Sequence, residues 1–193
     1  MVTYNTLSSI EFYGKHSIII NKLSSSNEDL KPGGATPPLF RRVLDTFIIA
    51  GLIGIINDKK SVPDKASPEK TTIFTETVQR NSPDIDFFAS IPIILTQNMS
   101  KVTDIKRAFF SETNDEENYM LSRNRLFYEY ALGGLELLEE YVIKADSNSS
   151  EDETSIFDRL KTYLDELEKK FKIDEDFVDQ NLILSASDLD FDL

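Results

Sequence analysis

Cysteine is absent from the 193 residues. That one absence excludes disulfide frameworks, thiolate nucleophiles and cysteine-based zinc sites, and it fits a reducing cytoplasm. Histidine is nearly absent: His16 is the single one. A catalytic triad or a histidine metal site usually needs more than this, and Gly14-Lys15-His16 reads as a turn, so His16 is expected to be an ordinary turn residue. Long apolar runs are missing too. The longest, Phe47 to Ile56, is ten residues, where a membrane span needs about twenty, so it reads as a buried core helix. Met1-Val2-Thr3-Tyr4-Asn5 lacks the basic start and apolar centre of a signal peptide. The expectation is a cytoplasmic protein with no membrane partner. No internal repeat of twenty residues or more is visible.

An excess of positive charge is the remaining absence. The formal net charge is −13, and residues 146–193 alone hold fifteen Asp/Glu against five Lys/Arg. The acidity is therefore a property of the C-terminal quarter. Non-specific nucleic-acid binding needs a basic surface, so direct binding of this kind is not expected. The charge favours solubility, or docking onto something basic.

The chain does contain glycine where helices dislike it. Arg41 to Ile56 reads RRVLDTFIIAGLIGII, and Phe127 to Leu138 reads FYEYALGGLELL. Each helical glycine costs about 1 kcal/mol relative to alanine, so Gly51, Gly54, Gly133 and Gly134 need a reason. The simplest is close approach of another backbone. Ala50 and Gly54 also form a small-xxx-small pair, a spacing that lets helices touch. The two segments are expected to be two halves of one helical core. Gly51 and Gly54 do not form a phosphate loop, because no strand precedes them and no Gly-Lys-Ser/Thr follows.

The organisation reads as three parts. Residues 1–36 form an arm: 10–13 and 17–20 flank Gly14-Lys15-His16 as a small β-hairpin, and a Ser- and Gly-rich linker follows. An isolated hairpin needs something to lean on. Residues 37–145 form the helical core. Pro37-Pro38 opens a helix running to about 57, closed by Asp58-Lys59-Lys60-Ser61-Val62-Pro63. Further helices are predicted at about 69–80, 85–99 with Pro92 kinking it or starting a new turn, 101–112, and 114–144 opened by a Thr113/Glu116 capping box. Residues 146–193 hold an acidic C-terminal helix at about 153–172 and a tail. That helix carries a stripe of Ile156, Leu160, Tyr163, Leu164, Leu167 and Phe171, which must fold back on the core or lie in a partner's groove. The fold class is mainly α.

Carboxylate clusters read structurally. Asp84 and Asp86 suit a helix cap, and Asp115, Glu116 and Glu117 suit a helix N-terminus. Asp58-Lys59-Lys60 has the acid-plus-lysine flavour of metal-dependent nucleases, without a strand context or a second acid at useful spacing. Arg41, Arg42, Arg123 and Arg125 could gather into a basic spot able to hold a phosphate or a partner's carboxylates. The tail Asp188 to Leu193 alternates acid and apolar residues. It resembles the tips by which single-stranded-DNA-binding proteins recruit partners, without their terminal Pro-Phe. In that mode Leu189, Phe191 and Leu193 fill pockets while the carboxylates meet a basic rim.

The segment order resembles one family. An apolar helix ends in an aliphatic-Gly-aliphatic step with basic residues and a proline loop behind it, here Gly51-Leu52-Ile53-Gly54-Ile55-Ile56 and Lys59-Lys60-Ser61-Val62-Pro63. A middle apolar helix follows, here Phe87-Phe88-Ala89 to Leu95. A late helix carries Glu129-Tyr130-Ala131-Leu132-Gly133-Gly134-Leu135. Over about 39–142 this resembles the small accessory proteins associated with bacterial Dnd systems, which link DNA phosphorothioation to defence against foreign DNA. The arm and everything after about 146 lie outside the match, and Asn57-Asp58 dilutes the basic segment. The resemblance implies work inside a multi-protein defence assembly, with an ATPase or nuclease among the partners, and supplies no catalytic residue.

The expectation is a non-catalytic accessory subunit without cofactor or metal. Gly51, Gly54, Gly133 and Gly134 would serve helix packing. Ile156, Leu160, Leu164, Leu167, Leu189, Phe191 and Leu193 would serve partner binding. Two rivals stand beside it: an acidic mimic or inhibitor occupying the basic groove of a DNA-binding partner, and a metal-dependent nuclease using Asp58, Asp84 or Asp86.

Overall fold

The computed structural model describes residues 9–24, 39–96, 116–144 and 156–171. Among the described residues the chain is mainly helical, with one two-stranded antiparallel sheet. In order the elements are β1 (Ile10–Tyr13), α1 (Lys15–Leu23), α2 (Val43–Ile56), β2 (Lys70–Ile73), α3 (Thr75–Arg80), α4 (Ser82–Thr96), α5 (Glu116–Leu138) and α6 (Ile156–Phe171). A π-helical turn at Glu139–Ile143 continues α5 without a break. The α2–α5 pair is the most extensive contact in the molecule, and α4 packs against both.

The N-terminal sheet forms with a different second strand. Ile10–Tyr13 is a strand as expected, but it pairs with Lys70–Ile73, in the register Ile10 to Ile73 and Tyr13 to Lys70. Residues 17–20, expected as the second strand, lie inside helix α1. The reason is periodicity: His16, Ile19, Ile20 and Leu23 fall on one buried face, while Ile18 points out. The helix expected at 69–80 is correspondingly shorter. Thr71, Thr72 and Ile73 are β-branched and suit a strand with a partner to hand, and only Thr75–Arg80 is helical. Ser17 and Asn21 of α1 reach the Thr71 hydroxyl at 2.7 Å each, which ties α1 to β2.

Residues 9–24, the described part of the segment read as an arm, therefore belong to the core. Phe12, Ile19, Ile20 and Leu23 bury in the same cluster as Phe47, Ile53, Phe127 and Leu135. Phe12 and Phe127 both meet Phe47 edge to face, at 5.8 and 5.2 Å between centroids. Helix α2 begins at Val43, with Arg42 as its extended N-cap, rather than at Pro37-Pro38. Before it, Phe40 N–H donates to Leu23 O at 2.9 Å, making a single parallel bridge. Pro92, expected to kink the chain or start a new turn, lies within one helix, Ser82–Thr96.

Helix α6 folds back. Tyr163 and Leu167 enter the core cluster, Tyr141 of the π-helical turn stacks on Tyr163 at 4.9 Å, and Arg159 Nε donates to Val142 O at 2.8 Å. The predicted helix at 101–112, the capping residue Thr113 and the acidic tail lie outside the described residues. Among the described residues, no helix is long and apolar enough to cross a membrane.

Candidate functional site

Four glycines set the geometry at the centre of the fold. Gly54 of α2 lies against the Tyr130 carbonyl of α5, and a Cβ there would overlap that oxygen and sit 2.7 Å from its carbon. Gly134 of α5 meets α2 in return: a Cβ would overlap Ala50 O and stand 2.9 Å from Gly54 N. Gly133 faces the turn after α2, where a Cβ would collide with Lys59 O and approach Lys60 N to 3.0 Å. At Gly51 the obstacle is the Phe127 ring, a side chain rather than backbone. The structure thus sets Gly54 and Gly134 at a crossing where the main chains of α2 and α5 touch and Gly133 against the main chain of the turn after α2, while Gly51 makes room for the Phe127 ring instead of a backbone.

The turn over Gly133 is a Schellman cap. Asp58 takes the left-handed conformation (φ 47°) usually left to glycine. Its N–H donates to Ile55 O at 3.0 Å, and Lys59 N–H donates to Gly54 O at 2.8 Å. The Asp58 carboxylate accepts a bond from Tyr130 Oη at 2.9 Å, and Lys60 Nζ lies 4.7 Å from the centre of the same ring. Burial and the Asp58 bond push the Tyr130 hydroxyl up to about 12. Ser61 N–H then donates to Glu129 O at 2.9 Å, fixing the strand of loop along α5.

Beyond this turn lies a polar cluster on Glu136 of α5. Its Oε1 accepts from Ser61 Oγ at 2.5 Å, Lys15 Nζ at 2.8 Å and His16 Nε2 at 3.1 Å, and Lys59 Nζ is 3.8 Å from Oε2. Burial alone would raise this carboxyl, but the bonds from Lys15, Ser61 and His16 outweigh it and hold it down at about 2. His16 is 0% exposed and sits in the first turn of α1, not in a loose turn. Burial lowers its pKa, against the opposing pull of Glu136. Nδ1 of its ring has no hydrogen-bond partner among the described residues. An imidazole this enclosed, beside an ionised carboxylate, ties α1 to α5 but offers no surface to a substrate.

The sequence missed this cluster. Lys15 and His16 lie some 120 positions from Glu136, so nothing local links them. One signal existed: Glu136 is a lone carboxylate in the apolar run GGLELL, and a carboxylate drawn partly into an apolar face calls for cations or donors.

The other candidate residues do not converge. Arg42 is bidentate to Asp45, Arg125 pairs with Glu129 at 2.9 Å, and the buried Arg123 pairs with Asp86. Of the basic spot expected from Arg41, Arg42, Arg123 and Arg125, three arginines are thus divided among separate ion pairs: Arg42 and Arg125 each have an acid within about one helical turn, and Arg123 has one on the neighbouring α4. Asp58 and Asp86 are engaged by Tyr130 and Arg123, and among the described residues no three acids or imidazoles gather at metal-binding spacing. Ile156 and Leu160 pack against the core, Leu167 is 4% exposed, and Leu164 faces outward at 43%. Most of the stripe assigned to a partner is therefore used within the chain. Leu189, Phe191 and Leu193 lie outside the described residues.

No protein-family model, curated protein or solved structure matches the chain.

A different apolar ridge faces solvent. On α4, Phe87, Ile91 and Leu95 recur at four-residue steps, and Phe87 and Leu95 are 58% and 68% exposed. Phe88 stacks edge-on against Phe87 at 5.4 Å and supports it from the core side. On a short helix held by α2 and α5, such a row is a preset apolar surface.

Proposed function

We propose that this chain is a non-catalytic protein-binding subunit working inside a bacterial DNA-targeting defence assembly. The observation that carries the binding role is the α4 ridge of Phe87, Ile91 and Leu95 on a rigid helical base. Helix faces with apolar anchors at i, i+4 and i+8 dock into apolar grooves of other proteins. The partner is accordingly a protein presenting such a groove. The strongly acidic composition argues against nucleic acid as the direct ligand. The defence setting rests on the resemblance of residues 39–142 to Dnd-associated accessory proteins, and the cytoplasm is the matching location.

Affinity purification of the full chain from its host cells tests the reading. The wild type should retain a defined partner, an ATPase or nuclease under this proposal. A Phe87→Glu/Leu95→Glu variant should lose it while keeping its helicity and unfolding midpoint, since both side chains are exposed. Retention of the same partner by the double variant, or a wild type that purifies as a lone monomer, contradicts the proposal. The acidic-mimic alternative rests on charge in residues 146–193, and partner release on deletion of 174–193 would favour it.

A further inference from the structure

His16 closes the N-terminal segment onto the α2–α5 pair. Glu136 is ionised and can only accept, so Nε2 carries the proton that bridges the 3.1 Å between them. Nδ1 is then a bare acceptor, buried without a partner among the described residues. A second proton would create a buried N–H with nothing to receive it. It would also add a third cation to a site already balanced. Lys15 of α1 and Lys59 of the turn after α2 both lie on Glu136, while Asp64 of the following loop is the other acid near the ring.

We propose that His16 is a proton-operated latch. Neutral, it holds β1 and α1 against α5 through Glu136; protonated, it leaves its site and loosens residues 10–23. The latch is closed above pH 6.5, the ordinary histidine value, and opens progressively below it, because the folded site takes up the proton less readily than the opened one. Between 6.5 and the lower value in the closed site, the opening equilibrium constant rises about tenfold per pH unit. Opening removes both His16 and Lys15 from Glu136.

The full chain has a single histidine, so its ring signals are unambiguous in a proton NMR titration. The folded protein should titrate with a midpoint below 6.5, and a midpoint at or above 6.5 overturns the latch. Hydrogen exchange between pH 7.5 and 5, corrected for intrinsic rates, gives the second reading. Between pH 6.5 and the midpoint found in that titration, amides of 16–23 should lose protection about tenfold per unit relative to those of 44–54, and His16→Gln should abolish that difference. Equal pH dependence of the two segments, or an unchanged slope in His16→Gln, overturns it. If His16→Gln does not fold, the wild-type titration and exchange still decide.

Discussion

Replacing Gly134 with alanine tests the physical basis of the fold. The added methyl would overlap Ala50 O and lie 2.7 Å from Ala50 C and 2.9 Å from Gly54 N, where ordinary contact begins at 3.4 Å. All three obstacles are backbone atoms of α2, so no rotamer change relieves them. Alanine gains about 1 kcal/mol in helix propensity. Overpacking against a fixed obstacle costs about 3 kcal/mol or more. The net expectation is a destabilisation of about 2 kcal/mol, read as a drop of about 4–8 °C in Tm for a chain of this size. Urea unfolding followed by far-ultraviolet circular dichroism should show a lower midpoint with an unchanged slope. Gly51→Ala is the internal control. Its methyl meets the Phe127 ring, which can tilt, so the loss should be about 1 kcal/mol smaller. Because Gly54 and Gly134 guard one crossing, Gly54→Ala combined with Gly134→Ala should cost less than the sum of the two. A Gly134→Ala protein as stable as the wild type, or no worse than Gly51→Ala, refutes the reasoning.

Other consequences follow from the turn and the polar cluster. Asp58 carries backbone strain at φ 47° and also accepts from Tyr130 Oη. Asp58→Gly trades relief of about 1 kcal/mol against loss of a hydrogen bond worth about 1 kcal/mol and should be near neutral. Asp58→Ala keeps the strain and loses the bond, so it should be the less stable of the two by about 1 kcal/mol in chemical denaturation. Glu136 has a folded-state pKa of about 2, below its ordinary 4.5. Its contribution is therefore complete above pH 4.5 and is lost as pH falls toward 2. After screening of its half-exposed lysine partners this amounts to about 1–2 kcal/mol, and Glu136→Gln should lack that part of the acid slope. On the α4 ridge, Phe87→Glu and Leu95→Glu should leave the urea midpoint within about 0.5 kcal/mol of wild type.

Elements whose pattern reflects their own surroundings were legible in the sequence. Glycines in two apolar helices are costly unless something approaches them, and that cost marked Gly51, Gly54, Gly133 and Gly134 as one set. The helical stripe of 156–171 was equally readable, but its residues were assigned to a partner, and most of them pack within the chain. The misread elements were settled by partners distant in sequence. Ser17-Ile18-Ile19-Ile20 has strand-like composition, yet a buried face shared with His16 and Leu23 makes it helical. Lys70–Ile73 became a strand because Ile10–Tyr13 lies beside it, sixty residues away in the chain. The Glu136 cluster showed in the sequence only as a carboxylate inside an apolar run, for the same reason: its donors come from α1 and from the turn after α2. The α4 ridge was obscured because apolar residues surround that helix, and only packing separates the buried Ile85, Ala89 and Ile93 from the exposed Phe87 and Leu95.

The closeness of the α2–α5 crossing can be measured without perturbing it. Nuclear Overhauser contacts from the Gly54 α-protons to the Gly134 amide should be strong, reflecting backbones in van der Waals contact. Absence of these cross-peaks, with Gly54 seeing only side chains, would contradict the account at its centre.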